Sequence, residues 1–307
     1  SLQFVLEHGQ QDDWFADSLI TTLSVVSVFG FILFIWRELT YEHPIVNLGV
    51  LKDSNLRIGT IMTFILGFGL YGSTFIIPIY TQSVLGFTAT DAGLLLIPSS
   101  ITTGLMMPII GRAIQAGVPQ KYMVTAGFAI FFVYSLWMYL VMTPDTGIEH
   151  FFWPLVARGI GLGLLFVPIT TLSLSTLMGK DIGDGAAFTG MTRQLGGSFG
   201  IAIITTLIAR FHQQHRVDLI PNLSAVDTQV QQRVHALQQM FISKGFAANE
   251  ALDKAYQMLE LSVGKQATVL SYMDIFIGLG VLFLLCIPFV LLIKKGAGNL
   301  KASAAAH

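Results

Sequence analysis

Seven apolar stretches divide the chain, over roughly residues 18–36, 59–82, 90–113, 121–142, 152–177, 185–210 and 268–293. Each is long enough to cross a hydrocarbon core of about 30 Å, where every backbone N–H and C=O must be satisfied within the segment itself. Helices meet that demand. Composition agrees, with 53% of residues hydrophobic and 11% charged, which is unlike a soluble domain. The expectation is an all-α polytopic membrane protein with seven transmembrane helices. A net charge of −1 gives no electrostatic footprint for nucleic acid, and a lone cysteine, Cys286, excludes an internal disulfide.

The charges between the spans set the expected orientation. Arg37, Lys52, Arg57, Arg112, Lys121, Lys180, Lys294, Lys295 and Lys301 all fall on one side, whereas 1–17, 83–89 and 143–151 contain no Lys or Arg. The positive-inside rule makes the first side cytoplasmic, so the N-terminus is expected outside and the C-terminus inside. Residues 1–17 then form an extracytoplasmic segment, 18–36 a first helix, 37–58 a cytoplasmic linker, 59–293 a six-helix bundle and 294–307 a cytoplasmic tail. The chain opens on Ser1 without an initiator Met or a signal-peptide pattern, so further helices are expected to precede it.

The one long connection, 211–266, lies outside. Val226, Val230, Val234, Leu237 and Phe241 recur at helical spacing after Ser224 and Asp227, a capping-box pattern, and Gly245 is placed to end that helix. A second amphipathic helix is expected to be capped by Asn249, with Leu252, Ala255, Leu259 and Val263 as its apolar face. The two stripes either cover each other as a hairpin or leave an edge for a partner.

No catalytic constellation emerges. The chain carries neither a phosphate-binding glycine loop nor a His-Glu-x-x-His pair, and an enzyme is not expected. His212 and His215 have metal-like spacing but flank a membrane exit without nearby Cys, and are read as solvated interfacial residues, with no metal.

Charges inside the spans are therefore the functional candidates. Arg193 opens the run Arg193-Gln194-Leu195-Gly196-Gly197-Ser198-Phe199-Gly200, about eight residues into its span. Two roles compete for it: a tie between helix ends at a cytoplasmic gate, or a contact that tunes a proton-carrying carboxylate. Arg158 is either an interfacial anchor or a cavity residue, and Asp274 reads as a carboxylate near the positive end of a helix. Phe64, Phe68, Tyr71 and Phe75 share one face of the second span, either as ordinary packing or as an aromatic wall along a substrate cavity that also takes in Tyr80 and Gln82. Gly159, Gly163 and Pro168, with Gly196, Gly197 and Gly200, serve close helix packing or act as hinges.

These residues resemble, in order, the EmrB/QacA-like branch of the major facilitator superfamily, the fourteen-helix drug:proton antiporters. The resemblance rests on Leu2-Gln3 through Asp13-Trp14-Phe15, His43-Pro44-Ile45-Val46 with Leu48, Pro78-Ile79-Tyr80-Thr81-Gln82 with Gly86, and Ala92-Gly93 with Pro98. Arg158-Gly159 and the Arg193–Ser198 run complete it. It implies that the first span is the second of two extra helices between bundles and that the remaining six are the C-terminal bundle. Export of hydrophobic or amphipathic toxic compounds across the bacterial inner membrane, driven by protons, is implied with it, with no cofactor. In EmrB-like members a periplasmic adaptor and an outer-membrane channel extend the path. The superfamily's basic loop signature is weakened here: Gly111-Arg112 leads to Gly117 and Lys121 with no acid, so the partner of Arg112 at a gate is left open. The family's coupling acids lie in the N-terminal half and none is transferred to this chain. A uniporter or importer of organic solutes and a non-transporting membrane scaffold are the competing readings.

Overall fold

A computed structural model describes residues 2–8, 17–40, 53–177, 179–222 and 228–291. The Asp13–Phe15 and His43–Leu48 motifs, Lys52, the Ser224/Asp227 capping box with Val226, and Lys294, Lys295 and Lys301 lie outside those residues. The described chain is helical: α1 (Leu2–His8), α2 (Ser18–Thr40), α3 (Ser54–Ser83), α4 (Ala89–Leu94), α5 (Ile97–Gln115), α6 (Gln120–Val141), α7 (Glu149–Leu174), α8 (Lys180–Leu219), α9 (Thr228–Ser243) and α10 (Ala248–Leu291), with one 3₁₀ turn at Ile220–Asn222. Six stretches are long and apolar enough to cross a membrane: α3, α4 with α5, α6, α7, α8 and α10; α2 adds a shorter apolar run, Ser18–Leu33.

Local chemistry accounts for the breaks. Asp53 starts α3 by accepting from the Leu56 amide at 2.8 Å, an N-cap. Pro98 sits in the first turn of α5, where its missing N–H costs nothing, and separates α5 from α4. Gly117 ends α5 with a positive φ of 86°. Gly245 does the same for α9 at 93°; the Phe246 amide donates to the Phe241 carbonyl and the Gly245 amide to that of Ile242. That is a Schellman motif, and the Phe241 and Phe246 rings meet across it at 6.0 Å. The expected terminator is in place.

The expected second loop helix is not separate. α10 runs unbroken from Ala248 through the last span to Leu291, so Asn249 stands within its first turn instead of capping a detached helix. α8 likewise continues past its span to Leu219. Neither extension contains a proline before Pro221, and a polar amphipathic segment is as helical as an apolar one once it is nucleated. At 1.5 Å per residue both helices exceed about 60 Å, twice the apolar thickness, and project together from the membrane.

In the bundle α7, α6, α10, α8 and α3 close a ring in that order, with α3 returning to α7, and α5 lies outside against α7. The centre is aromatic. Phe131 of α6 stacks on Phe283 of α10 with centroids 3.9 Å apart, and Phe128 and Tyr134 meet Phe283 and Phe276 edge-on. Gly69 of α3 makes room for the Phe283 ring. Large apolar side chains on the outside, such as Leu105 at 62% and Leu140 at 68% exposure, would be a liability in water and are ordinary against lipid.

Candidate functional site

Two features of the bundle concentrate its polar and backbone chemistry. The first is Arg158, nine residues into α7 and only 4% exposed. Its Nε donates to Ser73 Oγ at 2.9 Å, Nη1 to Ser99 Oγ at 2.9 Å, and Nη2 to the Leu70 carbonyl at 3.1 Å and to Thr74 Oγ1. The hydroxyls on α3 are preset to accept: Ser73 spends its proton on the Gly69 carbonyl and Thr74 on that of Leu70. One guanidinium thus ties α7 to α3 and α5. Among the described residues no carboxylate pairs with it. The charge is held by a fan of neutral acceptors matched to the planar fork of an arginine. Of the two readings of Arg158, the interfacial anchor is therefore excluded; it is an interior node.

The second feature is a seam between α3 and α8. A Cβ added at Gly67 would collide with the Arg193 backbone carbonyl, and one at Gly196 with the Phe64 carbonyl. At Gly200 it would meet the Phe68 carbonyl oxygen at 2.9 Å, and at Gly197 it would strike the Tyr71 ring. The two backbones touch along this line, which only residues without a side chain permit. The face bearing Phe64, Phe68 and Tyr71 is consequently packed on α8. Phe64 lies 6.0 Å from Phe199, and the Tyr71 hydroxyl donates to Gln194 Oε1 at 2.9 Å; Phe75 is half-buried on the same face. Tyr80 is wholly buried in the hydrophobic core, its hydroxyl donating to the Thr143 carbonyl. Gln82 is exposed and folds back onto the Pro78 carbonyl.

Arg193 stands 13 residues into α8, because that helix begins at Lys180. Its guanidinium carbon lies 4.4 Å over the Phe166 ring of α7, a cation–π contact worth about 0.5–2 kcal/mol according to its wetness. Arg112 is exposed in the last turn of α5. One acid at this end of the bundle is Asp53, which the sequence alone did not single out: besides capping α3 it accepts from Thr176 Oγ1 at 2.7 Å, just past the end of α7.

On α7, Gly159 and Gly163 are one turn apart and receive α5: a Cβ at Gly159 would lie 2.6 Å from the Ser99 carbonyl oxygen, and one at Gly163 2.6 Å from the Met106 side chain. Gly161 faces the other way, toward α6. α7 continues through Pro168 without a break. Asp274 is not near a helix start, since α10 begins 26 residues earlier; it pairs with His215 of α8 at 2.7 Å. His215 therefore has a partner that the sequence did not reveal, a hydrogen bond that ties α8 to α10.

The sequence profile of the Major Facilitator Superfamily matches residues 14–201. Over 96% of its length the chain is 29% identical to the fatty acid resistance protein FarB of Neisseria gonorrhoeae, and over 97% it is 28% identical to the multidrug export protein EmrB of Escherichia coli. A colistin resistance protein EmrB from Acinetobacter baumannii is 25% identical over 89%. The chain spans about half the length of these relatives, 52–57% of each.

Proposed function

Because the chain belongs to the Major Facilitator Superfamily, we propose that it forms the C-terminal six-helix bundle, with one preceding helix, of a bacterial inner-membrane exporter of hydrophobic or amphipathic compounds. The observation that carries this reading is the near end-to-end similarity to proteins named for multidrug export and fatty acid resistance. Export is driven by inward proton flow, and alternating access needs a second bundle to rock against this one. Within this half, Arg158 fixes α3, α5 and α7 as one rigid body, the glycine seam adds α8 to it, and Arg193 joins α8 to α7 near the cytoplasmic end. An adaptor outside the membrane would meet the polar outer face of α9, where Arg233 and Gln239 are exposed, because the apolar stripe through Val234 and Leu237 turns inward.

The orientation this reading requires is directly testable. Cys286 is 2% exposed, so this part of the protein supplies a low background for thiol labelling, and any cysteine elsewhere in the full-length protein is first replaced by serine. In intact cells making the full-length protein, cysteine at Gln239 should react with a membrane-impermeant maleimide, and cysteine at Lys121 should react only after permeabilisation. The reverse pattern would overturn the assignment of the outside to the α9 face.

A further inference from the structure

Beyond the membrane, the projecting ends of α8 and α10 and one side of α9 border a half-open hollow of about 580 Å³. Each helix contributes one face to it. α8 gives Arg216 and the 3₁₀ turn after it Ile220; α9 gives Val230, Val234 and His235 along one stripe; α10 gives Leu252, Tyr256, Leu259 and Val263 at i, i+4, i+7 and i+11. The floor is apolar, built where Val234, Ala255 and Leu259 pack together. The rim is polar. Arg216 is ion-paired with Glu260 across it, His235 and the Tyr256 ring stand exposed, and the Gln238 amide is held by the Ala248 carbonyl at 3.0 Å.

The volume falls in the range of small-molecule pockets, about 300–1,000 Å³, and such pockets combine an apolar lining with a few polar groups at one end. The site also lies roughly 9 Å past the apolar stretch that ends near residue 210, counting six residues of α8 at 1.5 Å each.

We propose that this extramembrane hollow binds one amphipathic small molecule, its apolar body against Val230, Leu252, Leu259 and Val263 and its hydrogen-bonding head at the Arg216–Glu260 and His235 rim. Occupancy of the site is read by binding and not by flux, so the proposal stands or falls apart from the export reading.

Photoaffinity labelling tests it. Full-length protein in nanodiscs is irradiated with a diazirine-bearing long-chain carboxylic acid and, separately, with a diazirine-bearing lipophilic amine, and adducts are mapped by mass spectrometry. Saturable adducts are expected on residues 228–238 and 252–263 with at least one probe. Ile220→Trp and Val230→Trp, which narrow the hollow from two different elements, should each lower that labelling at least tenfold. Val217→Trp, three residues before Ile220 but exposed and outside the lining, should leave it unchanged. Equal labelling in all three variants, or absence of adducts at these positions with both probes, would overturn the proposal. So would crosslinks from these positions to a protein partner in place of the probes.

Discussion

Alanine at Gly196 is expected to destabilise the bundle strongly. The new Cβ would fall on the carbonyl carbon and oxygen of Phe64, which are backbone atoms of α3 and have no rotamer to escape into. α3 and α8 must then move apart, and the contacts that follow the seam, from Gly67 against Arg193 to Gly200 against Phe68, loosen together. Overpacking usually costs about 1–3 kcal/mol; a clash of two backbones in the centre of a helix pair belongs at or above the top of that range. Gly72 supplies the control. A Cβ there meets only the end of the Ile204 side chain, which can rotate aside, so Gly72→Ala should cost under about 1 kcal/mol. Thermal unfolding of the full-length protein in detergent separates the two. A wild-type midpoint for Gly196→Ala would contradict the backbone contact between α3 and α8.

The second large effect is at Arg158, and its order is the informative part. Arg158→Lys keeps the charge but brings one nitrogen where four acceptor contacts on α3 and α5 were served from three nitrogens in a plane. A buried cation left with part of its hydrogen bonding costs about 3–5 kcal/mol. Arg158→Leu removes the charge, and the hydroxyls of Ser73 and Thr74 keep their bonds to the α3 backbone, so the loss should be nearer 1–2 kcal/mol. The lysine variant is thus expected to melt below the leucine variant, the opposite of a charge-conservation rule. Both should lose most export, because α5 and α7 are no longer clasped to α3. A lysine variant as stable as wild type would show that charge alone, without the fork, holds the node.

The sequence made the spans and their breaks legible for a physical reason: transfer to lipid depends on summed apolarity over about twenty residues, and glycine at positive φ ends a helix locally. Gly245 is the clear instance. Arg158 was visible as an anomaly, a charge in an apolar run, but its partners were not, because Ser73, Thr74 and Ser99 look like any hydroxyls that bond back to their own helix. The face of Phe64, Phe68 and Tyr71 was legible as a face; what it touches depends on glycines more than a hundred residues away. His215 and Asp274, 59 residues apart, were each read alone, and the reading of Asp274 failed because the start of its helix was misplaced. Helix length was the weakest expectation. Hydropathy marks where lipid ends, and α8 and α10 continue as helices beyond that point because nothing in their sequence stops them.

Whether this bundle is half of a proton-driven exporter is tested most directly by flux in a defined system. The full-length protein, reconstituted into liposomes with ethidium and an imposed pH gradient, should move the dye against its concentration gradient. Collapse of the pH gradient should stop that movement, and Arg158→Leu should reduce it at least tenfold while the protein remains folded. Dye movement only down its own gradient, indifferent to pH, would contradict proton-driven export and leave a uniporter in its place.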